Sequence, residues 1–190
     1  MGNMPARRST AYAIEEGEAA EVLRMFEVNV FGLTAMIQAA LPGMRKRRSG
    51  CIVNLSSLAG LRGMPALGQY NATKFAVEGL SEALRREVEP LGIQVMVVEP
   101  SGFRTDWAGR SANESALQID DYQATAGAVR SAVRESSGKQ PGDPVRAVKA
   151  IIGFQRQHEM TMRLINAANS RFNVVYGVRM GILVTGYVFI

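Results

Sequence analysis

Between Cys51 and Lys74 the chain reads CIVNLSSLAGLRGMPALGQYNATK, and this stretch limits the possible fold more than any other. It opens on a short apolar run, Cys51-Ile52-Val53, which predicts a buried strand. The run ends in Asn54-Leu55-Ser56-Ser57, where an amide and hydroxyls stand at the point a strand would leave a sheet. A loop punctuated by Gly60, Gly63, Pro65 and Gly68 follows, and then Tyr70 and Lys74, four residues apart. With a helix starting near Gln69, that spacing puts phenol and ammonium on one face, one turn apart. A cation beside a phenol favours phenolate over phenol. Tyr70 is therefore a candidate general acid/base near neutral pH, and Ser57 a candidate donor to a carbonyl oxygen. Five tyrosines and four lysines (Lys46, Lys74, Lys139, Lys149) in 190 residues give a chance count of Y-x-x-x-K pairs of roughly 0.1. The pair alone says little; the strand, double serine and glycine-rich loop before it carry the weight.

Composition narrows the class further. A chain of 190 residues with 47% hydrophobic and 21% charged residues fits one soluble domain with a sizeable core. Its net charge of +5 permits nucleic-acid binding without arguing for it. The densest basic run, Arg45-Lys46-Arg47-Arg48, follows an apolar helical pattern, where cations complement a helix C-terminus. No aromatic residues interleave it, so nucleic acid is not expected as a partner. Cys51 is the one cysteine and His158 the one histidine, which argues against an intrachain disulfide, a thiolate metal cluster, a His-based triad or a zinc site. The N-terminus shows no apolar signal-peptide core, and Met180–Ile190 is too short to span a bilayer. No membrane partner and a reduced cytoplasmic compartment are the expectations.

Read in order, Met1–Thr10 is polar and gives no clear element. From about Ala19 to Met44 apolar residues recur at helical intervals (Val22, Met25, Phe26, Val30, Leu33, Ile37, Leu41), with Asn29 interrupting them. After the strand Cys51–Leu55 comes a helix from about Tyr70 to Leu91, with Phe75, Val77, Leu80, Leu84 and Val88 on its buried side. Pro90 and Gly92 stop it. Ile93–Val98, IQVMVV, is a β-branched run typical of a strand covered on both faces. Helix, strand, helix, strand implies crossover connections and a parallel sheet. That strand ends in Glu99-Pro100-Ser101-Gly102-Phe103-Arg104-Thr105-Asp106, and ligands of open α/β sheets bind at the carboxyl ends of strands. Trp107–Asp121 reads as a loop, Tyr122–Glu135 as a helix, and Asp143 as the N-cap of a helix Val145–Phe154 with Pro144 at its first position. Met162–Ile165 is a candidate last strand.

The segments EVNVFG (Glu27–Gly32), IVNLSS (Ile52–Ser57), YNATK (Tyr70–Lys74), VEGLSEALRREVEPLGI (Val77–Ile93) and VVEPSGFRTDW (Val97–Trp107), in this order, resemble the short-chain dehydrogenase/reductase family. The similarity runs from about Ala13 to Ile165. A branch carrying a FRTDWAGRS-like segment (Phe103–Ser111) and a QPGDP turn (Gln140–Pro144) is most similar. The resemblance implies a doubly wound α/β fold, a Rossmann-like parallel sheet in three α/β/α layers, and NAD or NADP as cofactor. It implies an oxidoreductase that moves a hydride between nicotinamide and an alcohol or ketone, with Asn29, Ser57, Tyr70 and Lys74 as the catalytic tetrad. In that reading Tyr70 exchanges a proton with the substrate oxygen, and Ser57 holds that oxygen. Lys74 lowers the Tyr70 pKa and binds the nicotinamide ribose, and Asn29 anchors a water that relays protons to Lys74. Pro100, Gly102 and Thr105 lie along the nicotinamide and pyrophosphate. Without the family, Ser57 also suits a strand-end cap with Ser56 its rival, Asn29 a helix-face amide, and Thr105 a turn cap.

Two departures from the family pattern matter. Ser101 follows Pro100 where the family has Gly, and neither a TGxxxGxG turn nor an NNAG segment occurs in this sequence. The resemblance therefore implies an N-terminally truncated member lacking the first βαβ elements, a partial domain over 1–165 followed by an atypical apolar tail over 166–190. Such a chain is expected to bind NAD(P) weakly and to turn over slowly, since remote contacts to the cofactor position its reacting carbon. The alternative reading is a catalytically impaired fragment that serves as an interaction or dimerisation module. A homo-oligomer joined through the two long helices is expected in either case.

Overall fold

The computed structural model describes residues 9–109, 112–113, 115–156, 163–165 and 173–175. A short strand β1 (Ser9–Thr10) leads through a 3-10 turn into a long helix α1 (Ala19–Arg47). Strand β2 (Gly50–Leu55), helix α2 (Gly68–Val88) and strand β3 (Ile93–Val98) follow. A two-residue strand β4 (Ala112–Asn113), helix α3 (Ala128–Glu135) and helix α4 (Pro144–Arg156) complete the α/β part.

β2 and β3 pair in parallel over their full length, Gly50 with Ile93 through Leu55 with Val98. The 37 residues between them (56–92) form the crossover that parallel pairing requires, and α2 supplies most of it. α1 and α2 close the sheet through one apolar cluster: Ile37, Ile52, Leu84, Val88, Ile93 and Val95. Each such side chain contributes roughly 1.5–3 kcal/mol on burial. A polar tie sits within the same layer, where Asn54 Nδ2 of β2 donates to Ser81 Oγ of α2 at 2.9 Å, both residues buried. The turn from α2 into β3 needs glycine. Gly92 has φ +71, and a Cβ there would lie 2.4 Å from the Arg48 carbonyl oxygen.

Several expectations required correction. Ser9–Thr10 is not irregular but pairs in parallel with Ala112–Asn113. The segment at Met162–Ile165 forms a strand, β5 (Arg163–Ile165), yet it does not extend the parallel sheet. It pairs antiparallel with β6 (Asn173–Val175). The seven residues separating those strands in the sequence are too few for a parallel crossover, which needs about a dozen. Phe75 is 48% exposed rather than buried, because the inward face of α2 runs through Tyr70, Lys74, Val77, Ser81, Leu84 and Val88. Phe75 follows Lys74 directly, and one residue is a turn of about 100°. Val53 on β2 is also exposed, so this strand is covered on one face only. The tail residues 166–172 and 176–190, with His158, lie outside the described residues.

Candidate active site

The carboxyl ends of β2 and β3 lie side by side, and the chain leaving each contributes to one cleft of about 210 Å³. Past β2, the Ser56 N–H donates to the Val98 carbonyl and the Leu58 N–H to the Pro100 carbonyl, which locks the two strand ends together. Ser57 follows at an extended φ of −170°, its Oγ accepting from the Ala59 N–H at 3.1 Å and donating to the Pro100 carbonyl at 3.3 Å. It is thus a cap and a cleft residue at once. Its neighbour Ser56 is fully buried and does not line the cleft, its Oγ lying 2.6 Å from where a Gly60 Cβ would stand.

The loop between Ser57 and α2 is pinned by Asn71, whose amide donates to the Ala59 and Arg62 carbonyls at 2.7 and 2.8 Å and accepts from the Met64 N–H. This fixes the first turn of α2 against the strand end and turns Tyr70 into the cleft beside Ser57. The Tyr70 ring is 4% exposed and rests against Trp107, centroids 5.8 Å apart at an interplanar angle of 50°. Pro100, Gly102 and Thr105 line the same cleft from the β3 side. Thr105 also caps the short turn at Asp106–Ala108 by accepting from the Trp107 N–H, which is its turn-cap reading.

Lys74 lies one turn below Tyr70 and does not line the cleft. Its Nζ is 5.7 Å from the Tyr70 ring centroid and donates to the Leu55 carbonyl at 2.9 Å. Burial of the ammonium lowers its pKa from 10.5 to about 8, opposed by the Glu78 carboxylate. Between those values the unfolded chain holds a proton that the folded chain has released, so stability rises with pH across the window from about 8 to 10.5. Urea unfolding at successive pH values is expected to show this rise, with a slope of up to about 1.4 kcal/mol per pH unit. Lys74→Met should flatten it, and an unchanged slope in that variant would contradict the buried ammonium.

Asn29 lies in a π-helical turn of α1, Glu27–Gly32, a distortion often found at functional sites. Its Nδ2 donates to Thr73 Oγ1 at 3.2 Å, and Thr73 in turn donates to the Tyr70 carbonyl. It stands behind the cleft, bonded to the residue that precedes Lys74. The cleft wall also includes Met64, Leu67, Trp107, Val133, Ser136 and Gln140, none of which sequence reasoning marked. Trp107 and Gln140 alone carried a signal, as members of the FRTDWAGRS-like segment and the QPGDP turn.

Sequence comparison agrees with this architecture. Residues 6–116 match the profile of the family described as short chain dehydrogenase, and the chain belongs to that family. It is 36% identical over 153 residues to Oxidoreductase BOA17 of Botryotinia fuckeliana, covering 80% of this chain and 56% of that one. A short-chain dehydrogenase from Streptomyces avermitilis superposes with a TM-score of 0.75 at 38% identity, covering 87% of this chain and 59% of the other. A structure of ElxO with NADP bound matches with a TM-score of 0.51 at 31% identity, over 53% of this chain and 40% of that one. The chain spans about half the length of the curated relatives it matches.

Proposed function

We propose that this chain carries the reacting half of an NAD- or NADP-dependent oxidoreductase site that interconverts an alcohol and a ketone. The observation that carries the reading is the shared cleft. The Ser57 and Tyr70 side chains meet there with Pro100, Gly102 and Thr105, and a buried Lys74 ammonium lies beneath the Tyr70 ring. The nicotinamide end of the cofactor fits this lining: apolar walls suit a flat ring, and Thr105 offers a hydroxyl. Bound there, the cofactor supplies or accepts a hydride at the substrate carbon.

The residues of the chain handle the proton. In ketone reduction the Tyr70 hydroxyl donates its proton to the substrate oxygen, and in alcohol oxidation the Tyr70 oxygen takes it back. Ser57 holds the same oxygen by turning its one hydroxyl proton from the Pro100 carbonyl to the substrate, while the Ala59 N–H keeps its Oγ in place. Lys74 places positive charge under the ring, where it favours the phenolate that each proton donation leaves. Asn29 is a positioning residue. Through Thr73 it fixes the α2 turn that carries Tyr70 and Lys74. The NADP-bound ElxO relative supports the choice of cofactor class. With NADH or NADPH and a methyl ketone at millimolar concentration, the expected result is slow loss of cofactor fluorescence that needs both ketone and protein. A rate equal to the protein-free blank with both cofactors overturns the proposal.

A second reading, as an interaction module, rests on α1. Leu23, Phe31 and Met36 are 63%, 61% and 73% exposed, and Phe75 on α2 is exposed as well. α1 is also the one described helix long and apolar enough to cross a membrane by length and composition. It is tied to α2 through the Asn29–Thr73 hydrogen bond, and a second copy of the chain is the occupant proposed for its open side. Sedimentation velocity should then show a dimer that Phe31→Glu dissociates; a monomeric wild-type protein removes this reading.

A further inference from the structure

We infer that a second chamber, behind Met64, is the distal part of the substrate site and takes a neutral, apolar arm of the alcohol or ketone. The inference rests on the oxidoreductase reading above and extends it to the substrate's size and charge. The cleft at Ser57 and Tyr70 has a volume of about 210 Å³. Small-molecule sites run to roughly 300–1,000 Å³, and this cleft must hold the nicotinamide ring beside the reacting carbon. Little of it is left for the rest of a substrate. The chamber adds about 460 Å³, and Met64 lines both cavities. An arm too long for the cleft has a route into the chamber over Met64.

The partition between the two is the end of the loop that leads into α2. Leu67 and Tyr70 line the cleft, while Pro65, Ala66 and Gly68 line the chamber. The backbone of this stretch is tied down. The Met64 N–H donates to Asn71 Oδ1 at 3.1 Å, and the Met64 carbonyl accepts from the Leu67 N–H at 3.2 Å. The Ala66 carbonyl accepts from the Tyr12 N–H at 2.8 Å, and the Leu67 carbonyl from the Asn71 N–H at 2.7 Å. Ala66 has φ +63, a left-handed conformation that residues with a Cβ rarely adopt and that concentrates at functional sites. Arg48, the other such non-glycine residue among those described, ends α1 instead. Gly68 is explained by Ile14, whose Cγ1 lies 2.8 Å from where a Gly68 Cβ would stand. With the backbone fixed, the unbranched Met64 side chain is the part of the partition that can move aside.

The chamber's chemistry differs from that of the cleft. The cleft gathers the hydroxyls of Ser57, Tyr70, Ser101, Thr105 and Ser136. The chamber is floored by Ala13, Met64, Ala66 and Ala126, which pack with Tyr70 in one apolar cluster, and walled by Ile14 and Pro65. Ile14 is 69% exposed, so an apolar arm laid against it removes two apolar surfaces from water. The polar side chains at the rim are engaged with their own neighbours. The Tyr122 hydroxyl donates to Glu15 Oε2 at 2.6 Å, and Thr125 Oγ1 donates to the Tyr122 carbonyl at 3.3 Å. Among the described lining residues Glu15 alone is charged. A neutral arm suits this wall, whereas an arm ending in a carboxylate meets like charge.

The test reads binding, not turnover. Trp107 is the only tryptophan in the chain and lines the cleft, so saturable quenching of its fluorescence reports occupancy. The probes are methyl propyl ketone and methyl octyl ketone, whose chains differ by about five methylenes, each worth about fourfold in affinity when buried. Wild-type protein is expected to bind the longer ketone at least about 50-fold more tightly, the equivalent of burying about three of them. Ile14→Glu charges the chamber wall and Thr125→Trp fills its mouth, both at exposed positions. Each should weaken binding of the longer ketone at least about tenfold and leave the shorter within about twofold. Ile152→Glu, at an exposed apolar residue of α4 that lines neither cavity, should change neither affinity. The keto acid with a carboxylate in place of the terminal methyl of methyl octyl ketone should bind at least about tenfold more weakly, and Glu15→Gln should narrow that gap. Should one chamber variant fail to fold by circular dichroism, the other carries the test. Equal binding of the two ketones, a length preference untouched by the chamber variants or lost equally in Ile152→Glu, or a keto-acid penalty that Glu15→Gln leaves unchanged each overturns the assignment. Turnover enters none of these ratios, so absent ketone reduction counts against the Tyr70 chemistry alone.

Discussion

Replacing Tyr70 by Phe is expected to lower ketone reduction by at least about 100-fold while leaving the melting temperature nearly unchanged. The substitution removes one oxygen and keeps the ring, and the ring is what packs: it is buried against Trp107 and belongs to the cluster with Met25, Ala59 and Leu67. Loss of a positioned acid/base group typically removes a factor of about 10²–10⁴ in rate. The loss should fall on kcat, because the phenol acts on a proton in transit and contributes little to ground-state binding. Steady-state kinetics of the two proteins, with thermal melts alongside, check both halves. A variant that keeps the wild-type rate would remove Tyr70 from the chemistry, whatever the cleft looks like.

That cleft was legible in the sequence to an uneven degree. The strand ends, the start of α2 and the i,i+4 relation of Tyr70 and Lys74 follow from local patterns: a β-branched run, a Gly- and Pro-marked loop, a helical period. Those patterns act over a few residues, so a sequence displays them. What escaped depends on contacts across long separations. The pinning of the Ser57 loop by Asn71 could not be read from composition, nor could the Asn54–Ser81 bond inside the core. Phe75 was misplaced because a single apolar residue beside a helical stripe differs from it by only one residue of rotation. β5 was misplaced for another reason: three residues make a strand on either pairing, and only the partner decides whether it runs parallel or antiparallel. Gln140 stood within a recognised turn, but its burial against Gly102 is a tertiary fact.

The same kind of long-range contact sets the largest stability effect expected. Arg130→Met should destabilise the protein by about 3–5 kcal/mol near neutral pH, the usual consequence of removing one partner from a buried ion pair. Arg130 Nη1 lies 3.1 Å from Glu16 Oε2, and their side chains are 6% and 0% exposed. Burial alone would raise the Glu16 pKa. The Ile119 and Ala13 N–H groups and the Arg130 guanidinium overcome it and hold the carboxyl below its usual 4.5. Glu16 therefore contributes stability that is present above about pH 4.5 and is lost as the pH falls through the lower folded value. Without Arg130 the carboxylate keeps two backbone donors but stays buried and poorly balanced, so its pKa moves back up. The gap between wild type and variant should consequently narrow as the solution is acidified below pH 4.5, where a protonated Glu16 no longer needs the cation. Glu16→Gln combined with Arg130→Met should recover part of the loss at pH 7, since an uncompensated buried charge is then absent. Arg130 stands on α3, about one turn before Val133, which lines the cleft, so the pair also braces that wall. Denaturant titrations of the three proteins at pH 7 and pH 4 measure these differences, and a gap that stays constant across that range would mean the ion pair is not what holds α3 to the N-terminal turn.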